Sequence, residues 1–365
     1  MKYYIIAGEA SGDLHAGNLL RELKLLDANY EFRAWGGDLM EAQGAEIVKH
    51  YRDLAFMGFL EVLQNLRTIL KNIAACKKDI VEWKPDAVIL VDYPGFNLRM
   101  AAFVHTLGIP VFYYISPQIW AWKQKRIFKI KECVDRVFCI LPFEKDFYTK
   151  YNYNADFVGH PLLDAVVGFE DSKAVEVDGR KIIALLPGSR KQELRKILPP
   201  MLEVAKNFPQ YRFVIAGAPG QTLEFYKEVM GANETEIIFG KTYSLLKQSY
   251  AGLIKSGTST LEAALFNLPE VVCYKASSIS YQIAKRVANV KYISLPNLIM
   301  DEAIVKELIQ DDMSVEKMTL ELRKITEDEN ARSKMLEGYK RLIERLGGVG
   351  ASKKVAILIT EHLKK

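Results

Sequence analysis

Apolar residues along this chain fall into two recurring patterns. Short unbroken runs such as Tyr3-Tyr4-Ile5-Ile6 and Ala87-Val88-Ile89-Leu90-Val91 alternate with stretches whose apolar residues recur every three or four positions. Unbroken runs are what strands covered on both faces of a parallel sheet require. The pattern predicts strands over Lys2–Ala7, Glu31–Trp35, Asp86–Asp92, Pro110–Ser116, Asp135–Ile140 and Ala155–Val158. It predicts helices over Asp13–Leu25, Asn97–Leu107 and Phe143–Tyr151. Strands alternating with helices argue for βαβ units and a doubly wound α/β sheet.

Around Val166–Arg180 the pattern gives way to a polar, acid-containing stretch with Gly168 and Gly179. A second series then begins, with strands over Lys181–Leu186, Arg212–Ala216, Glu236–Phe239, Ala251–Ile254 and Val271–Tyr274 and helices over Gln192–Phe208 and Ser259–Phe266. The expected organisation is a Rossmann-like domain over residues 1–168, a second over 169–340, and a C-terminal helix over 341–365. From about Asp301 onward the chain reads as helical and highly charged. That last helix can pack on the first domain or cross to a second subunit, which would make a homodimer.

Composition agrees with two domains. The chain has 365 residues, 49% hydrophobic and 26% charged, enough to bury real cores. No apolar run approaches the roughly 18 uncharged residues of a membrane-spanning helix. The N-terminus meets Gly8 and Glu9 too soon for a signal peptide, so a cytoplasmic protein is expected. Cys76, Cys133, Cys139 and Cys273 form no Cys-x-x-Cys pair, and the five histidines lack metal-ligand spacing. Reduced thiols, no metal and no cofactor are the expectation. A net charge of +5 is too mild to indicate nucleic acid and suits an anionic substrate or an anionic membrane equally.

Ligands of open α/β sheets bind beyond the carboxyl ends of the strands. The first such turn is Gly8-Glu9-Ala10-Ser11-Gly12-Asp13, with His15 just beyond it. It lacks Gly-x-Gly-x-x-Gly, which disfavours a nicotinamide enzyme. Glu9, Ser11, Gly12 and Asp13 form either a substrate-binding turn or a helix capped by Ser11 or Asp13. The second turn is Asp92-Tyr93-Pro94-Gly95-Phe96-Asn97, where Asp92 ends an apolar strand. A partly buried carboxylate there is a candidate general base, or else a cap of the next helix. The third turn, Ser116-Pro117-Gln118-Ile119-Trp120-Ala121-Trp122, carries two tryptophans that are costly to expose. The cations after it, Lys123, Lys125, Arg126 and Lys129, suit phosphate or headgroups, or form a solvated helix face.

In the second half two glycine–hydroxyl turns open helices: Pro187-Gly188-Ser189-Arg190 and Ser256-Gly257-Thr258. Free N–H groups and the helix dipole favour phosphate at such positions. Arg190 adds a forked donor, Glu193 lies in the first turn beyond it, and Glu262 is placed to accept ribose hydroxyls. Together these suggest a nucleoside-diphosphate site. No Asp-x-Asp is present, so a metal-bridged diphosphate is not indicated. A nucleotide domain following an acceptor domain is the plan of GT-B glycosyltransferases.

Eight motifs, in this order, resemble the lipid-A-disaccharide synthase family, inverting glycosyltransferases of Gram-negative bacteria. They are Gly8-Glu9-Ala10-Ser11-Gly12-Asp13, Met57-Gly58-Phe59-Leu60-Glu61-Val62, Ser116 to Trp122, Leu141-Pro142-Phe143-Glu144, Phe157-Val158-Gly159-His160-Pro161, Leu185 to Arg190, Ser256 to Glu262, and Ser294-Leu295-Pro296-Asn297. The resemblance implies that UDP-2,3-diacylglucosamine and 2,3-diacylglucosamine 1-phosphate (lipid X) give a β-1,6-linked disaccharide 1-phosphate and UDP. It also implies peripheral association with an anionic inner-membrane surface and no metal in the chemistry. By the same resemblance Asp92 matches the family's essential aspartate and His15 is the second candidate base. Glu9, Ser11, Arg190 and Asn297 match positions that matter for activity or UDP binding. Many relatives carry a second acidic residue in the Asp92 turn where this chain has Gly95, so Asp92 stands as the single candidate there.

The stretch Phe56, Phe59, Leu60, Leu63, Leu66 and Leu70 has helical spacing, with Met57 and Ile69 beside it. With Trp120 and Trp122 it is the candidate acyl-chain or membrane contact, helped by Lys71, Lys77 and Lys78, or else ordinary core. Two other functions share the fold plan: a UDP-N-acetylglucosamine 2-epimerase and a non-catalytic sugar-nucleotide-binding protein.

Overall fold

The computed structural model of the chain describes residues 1–54, 66–121, 123–170, 178–277, 281 and 290–364. Two compact units emerge, Met1–Pro161 with Leu346–Lys365, and Leu162–Arg345. The first unit opens with β1 (Lys2–Ala7), α1 (Ala10–Leu26), β2 (Glu31–Gly36), α2 (Asp38–Glu41) and β3 (Glu46–His50). It continues with α3 (Leu66–Trp83), β4 (Ala87–Val91), α4 (Pro94–Thr106), β5 (Val111–Tyr114), α5 (Arg126–Cys133), β6 (Arg136–Cys139), α6 (Pro142–Lys150) and β7 (Asp156–Phe157).

The described strands make one parallel sheet in the order β3-β2-β1-β4-β5-β6-β7. Successive side chains of a strand point to opposite faces, and both faces are buried here. Tyr4, Ile6, Val88, Leu90 and Tyr113 pack with residues of α3, α4 and α5. Tyr3, Ile5, Ala87, Ile89 and Phe112 pack on the other side with Leu19, Leu20 and Leu23 of α1. That two-sided burial is why these runs are continuous.

The second unit contains α7 (Pro161–Val167, whose first residue belongs to the first unit), β8 (Ile182–Leu186), α8 (Lys191–Ala205), β9 (Arg212–Gly217), α9 (Leu223–Met230), β10 (Glu236–Phe239) and α10 (Thr242–Gln248). Then come β11 (Ser249–Lys255), α11 (Thr258–Leu265), β12 (Glu270–Tyr274), α12 (Leu295–Met300), β13 (Lys306–Ile309), α13 (Val315–Glu327) and α14 (Glu329–Arg345). Its described strands are again parallel, in the order β10-β9-β8-β11-β12-β13. The final helix, α15 (Ala351–Leu363), returns to the first unit, where Val355, Ala356 and Ile359 join the α1 face of the sheet.

Three features differ from the sequence expectation. Glu46–His50 and Lys306–Ile309 are edge strands; each mixes charged with apolar residues and so shows no continuous run. The chain beyond Asp301 is therefore not wholly helical. The units part at Pro161/Leu162 and rejoin at Leu346, where the sequence pattern had suggested 168 and 341.

Candidate active site

In the first sheet the strand order reverses between β1 and β4, the place where an open α/β sheet leaves a crevice. Ala7 and Val91 are paired in register, so the turns that follow them lie side by side. A Cβ on Gly8 would sit 2.4 Å from the Tyr93 ring, so only glycine lets that ring cover the turn. Asp92 and Tyr93 are both left-handed, at φ 47° and 48°. Each such residue costs roughly 1–2 kcal/mol. Asp92 is half-buried. Burial, and secondarily the charge of Glu9, raise its pKa to about 6. A carboxylate so tuned is a competent base near neutral pH. Asn97 and Tyr113 both donate to its backbone carbonyl; the sequence pattern singled out neither.

The other expected residues of this turn divide. Helix α1 begins at Ala10, so Ser11, Gly12 and Asp13 occupy its first turn. Ser11 is exposed. Gly12 serves packing, since a Cβ there would come 3.3 Å from the Ala7 Cβ. Asp13, expected at the substrate, has its carboxylate engaged within the protein. Its carboxylate is 2% exposed and accepts the backbone N–H groups of Gly37 (2.8 Å), Leu39 (3.1 Å) and Met40 (3.2 Å). It thus caps α2, which follows the neighbouring strand β2, instead of capping its own helix. His15 is buried, and burial lowers its pKa to about 4, so it is neutral at pH 7. Its Nδ1 has no hydrogen-bond partner among the described residues. His160 is held neutral in the same way, at about 3, by burial and by His15.

The turn after β5 is anchored from below by Glu144, which the sequence offered only as part of a motif. Its carboxylate accepts the N–H groups of Ile140 (3.2 Å) and Leu141 (3.0 Å) and the Ser116 hydroxyl (3.4 Å). Burial pushes its pKa up to about 7, against the pull of those donors. Trp120, expected at an acyl or membrane surface, is half-buried with its ring edge-to-face on Phe143, centroids 4.8 Å apart. Phe56, Met57, Phe59, Leu60, Leu63 and Trp122 lie outside the described residues.

The second sheet reverses between β8 and β11, where Leu186 and Ile254 are paired in register. Its two glycine–hydroxyl turns are therefore neighbours. Gly188 has φ +108°, and a Cβ there would lie 2.6 Å from Glu193 Oε2. That oxygen accepts the N–H groups of Ser189 (3.3 Å) and Arg190 (3.4 Å). Glu193 Oε1 meets Lys255 Nζ at 3.0 Å and the Arg190 guanidinium at 3.8 Å. Glu193 thus organises the turn by holding its N–H groups and cations. Lys255, absent from the sequence-derived set, ends β11 between the two turns, its Nζ 3.8 Å from where a Gly257 Cβ would be.

Further residues near these two turns make bonds within the second unit. Ser256 is buried and donates to the Ile293 carbonyl (2.8 Å), so it pins the turn to the loop before α12. Asn297 is buried, donates to Val305 O (2.9 Å) and Glu307 Oε1 (3.0 Å), and accepts from Ile304 and Val305 N–H. It fastens α12 to β13. Gly257 and Thr258 lead into α11 at its dipole-positive end. Glu262, one turn on, accepts the Tyr243 hydroxyl at 3.0 Å, and burial raises its pKa. Gln221 donates to Ser189 O (2.8 Å) and completes the rim. Among the described residues no cluster of three His, Cys, Asp or Glu side chains is placed to hold a metal.

Residues 3–360 match the family model described as lipid-A-disaccharide synthetase. The lipid-A-disaccharide synthase of Geobacter metallireducens is 37% identical over 372 residues, covering 99% of this chain and 97% of that protein. Those of Anaeromyxobacter dehalogenans (40%; 96% and 95% covered) and Myxococcus xanthus (38%; 98% and 97% covered) are similar to the same extent. Among solved structures, the UDP-GlcNAc 2-epimerase of Neisseria meningitidis bound to UDP-GlcNAc aligns with TM-score 0.71 over 100% of both chains at 15% identity. The glycotransferase of kitacinnamycin aligns with TM-score 0.68 over 99% of each at 13% identity. At such identities the likeness is one of fold, the two-domain GT-B plan.

Proposed function

The chain belongs to the lipid-A-disaccharide synthetase family, and on that premise we propose that its two half sites divide the two substrates of one glycosyl transfer. The protein is a glycosyltransferase of lipid A biosynthesis acting on a sugar nucleotide and a lipid acceptor. The donor is UDP-2,3-diacylglucosamine and the acceptor is lipid X. The turns after β8 and β11 hold the donor's diphosphate through Arg190, Lys255 and the N–H groups around Gly188 and Gly257. The turns after β1 and β4 receive the acceptor.

The reaction is a single displacement. Asp92 takes the proton of the acceptor 6-hydroxyl as its oxygen bonds to the donor's anomeric carbon, and the bond from that carbon to the UDP oxygen breaks. Charge grows on the departing diphosphate, and preorganised N–H groups and cations stabilise it as it forms. The observation that carries this reading is the half-buried place of Asp92 at the first switch point, where burial and the charge of Glu9 raise its pKa. His15 is the poorer base, because burial makes its protonated form costly.

Among the described residues no helix is long and apolar enough to cross a membrane. We place contact with an anionic membrane at the face of α5, where Phe128 is 61% exposed and Lys125 lies beside it. Mass spectrometry of products formed from UDP-diacylglucosamine, with and without lipid X, tests the whole reading. Disaccharide 1-phosphate and UDP appearing only with lipid X is the expected result. An isomerised sugar nucleotide formed without lipid X would make the protein an epimerase. In the same assay Asp92→Asn should lose turnover while still binding UDP.

A further inference from the structure

The turn after β4 places two successive non-glycine residues, Asp92 and Tyr93, in the left-handed region. Aspartate tolerates that conformation; a bulky tyrosine adopts it only where the surroundings over-determine the backbone. Here two side chains do so. Asn97 Nδ2 lies 2.7 Å from the Asp92 carbonyl oxygen and 3.3 Å from those of both Ile6 and Val91. The Tyr113 hydroxyl donates to the same Asp92 oxygen at 2.8 Å. Asn97 is fully buried, and its own Oδ1 has no hydrogen-bond partner among the described residues. An apolar residue in its place would avoid that unpaired buried oxygen. Helix packing therefore does not account for asparagine, whereas three converging carbonyls do.

We propose that Asn97, assisted by Tyr113, is a positioning residue for the transfer. It gathers the ends of β1 and β4 and locks the left-handed turn. It thereby fixes the Asp92 carboxyl in the half-buried place beside Glu9. Neither residue touches a substrate; both act through Asp92, so the inference rests on Asp92 being the base.

The test measures Asn97→Ala, Tyr113→Phe and Asp92→Asn side by side for melting, UDP affinity, steady-state kinetics and pH dependence. A misplaced base should lower kcat about a hundredfold in Asn97→Ala. Loss of one hydroxyl should lower it about fivefold in Tyr113→Phe. KM for both substrates and UDP affinity should stay within about twofold. The acid limb of the kcat/KM profile should move to lower pH in both variants, because a released Asp92 carboxyl reaches water; a purely structural role would leave that limb in place. If Asn97→Ala does not fold, Tyr113→Phe decides alone. Folded variants with wild-type kcat and an unmoved limb, beside an inactive Asp92→Asn, would overturn the inference and leave Asp92 as the base. Raised KM with kcat unchanged would also overturn it. Full activity in Asp92→Asn would remove the base and this inference together.

Discussion

Replacing Asp13 separates a scaffold role from a substrate role within the most polar turn of the chain. In Asp13→Ala the backbone N–H groups of Gly37, Leu39 and Met40 lose the carboxylate they share, at a site only 2% exposed. Hydrogen bonds to a charged group are worth about 1.5–3 kcal/mol each, and three add to more than the net loss. The variant also removes the desolvation cost of the carboxylate, and α2 at the sheet edge can relax to admit water. A net loss of about 3 kcal/mol follows. In a unit of this size that lowers the melting temperature by about 6–12 °C. Asp13→Asn keeps one acceptor oxygen and should lose about half as much. Differential scanning calorimetry measures the loss, and initial rates taken well below the transition measure kcat and both KM values. The expected result is a lower Tm with kcat and KM within about threefold of wild type. A wild-type Tm combined with a tenfold rise in KM for either substrate would refute the reasoning and return Asp13 to the substrate site.

The kcat/KM profile should fall on the acid side near pH 6, where Asp92 takes up its proton. Glu9→Gln should shift that limb to lower pH, because the like charge helping to hold the pKa up is gone. Lys255→Met should weaken UDP binding about tenfold and leave uridine binding unchanged in calorimetric titration, since the ammonium at 3.0 Å from Glu193 is assigned to the diphosphate. Equal losses for UDP and uridine would mean that the turn had collapsed. Glu270 is fully buried, and burial holds its pKa well above the ordinary glutamate value. The native state keeps this proton where the unfolded chain has lost it, so stability falls as pH rises above about 4.5, by up to about 1.4 kcal/mol per pH unit. Glu270→Gln should therefore melt higher than wild type at pH 8 and equal it near pH 4; a lower Tm at pH 8 would contradict this.

The central strands were legible because two-sided burial writes itself as an unbroken apolar run, and the residues that end those runs mark the sheet's carboxyl edge. Asp92, Glu9, Gly188, Arg190 and Gly257 were placed at that edge in this way, and the structure has them in or beside the turns that follow β1, β4, β8 and β11. Edge strands β3 and β13 were not legible, because charged residues interrupt the apolar positions on both faces of each. The C-terminal helix was legible as a helix, but its return to the first unit depends on packing against α1, far away along the chain.

Local pattern alone thus determined most of the alternation of elements, the division into two α/β units and the turns at the carboxyl edges of the sheets. Which polar side chains in those turns remain available was decided only by the tertiary structure. Asp13 is taken by N–H groups 24 or more residues on, Ser256 by a carbonyl 37 residues away, and Asn297 by the strand beside it. Asn97, Tyr113 and Lys255 become relevant for the same reason. A buried hydrogen-bonding group must find a partner or lose free energy, and partners are assigned by sheet order, which no short stretch of sequence encodes.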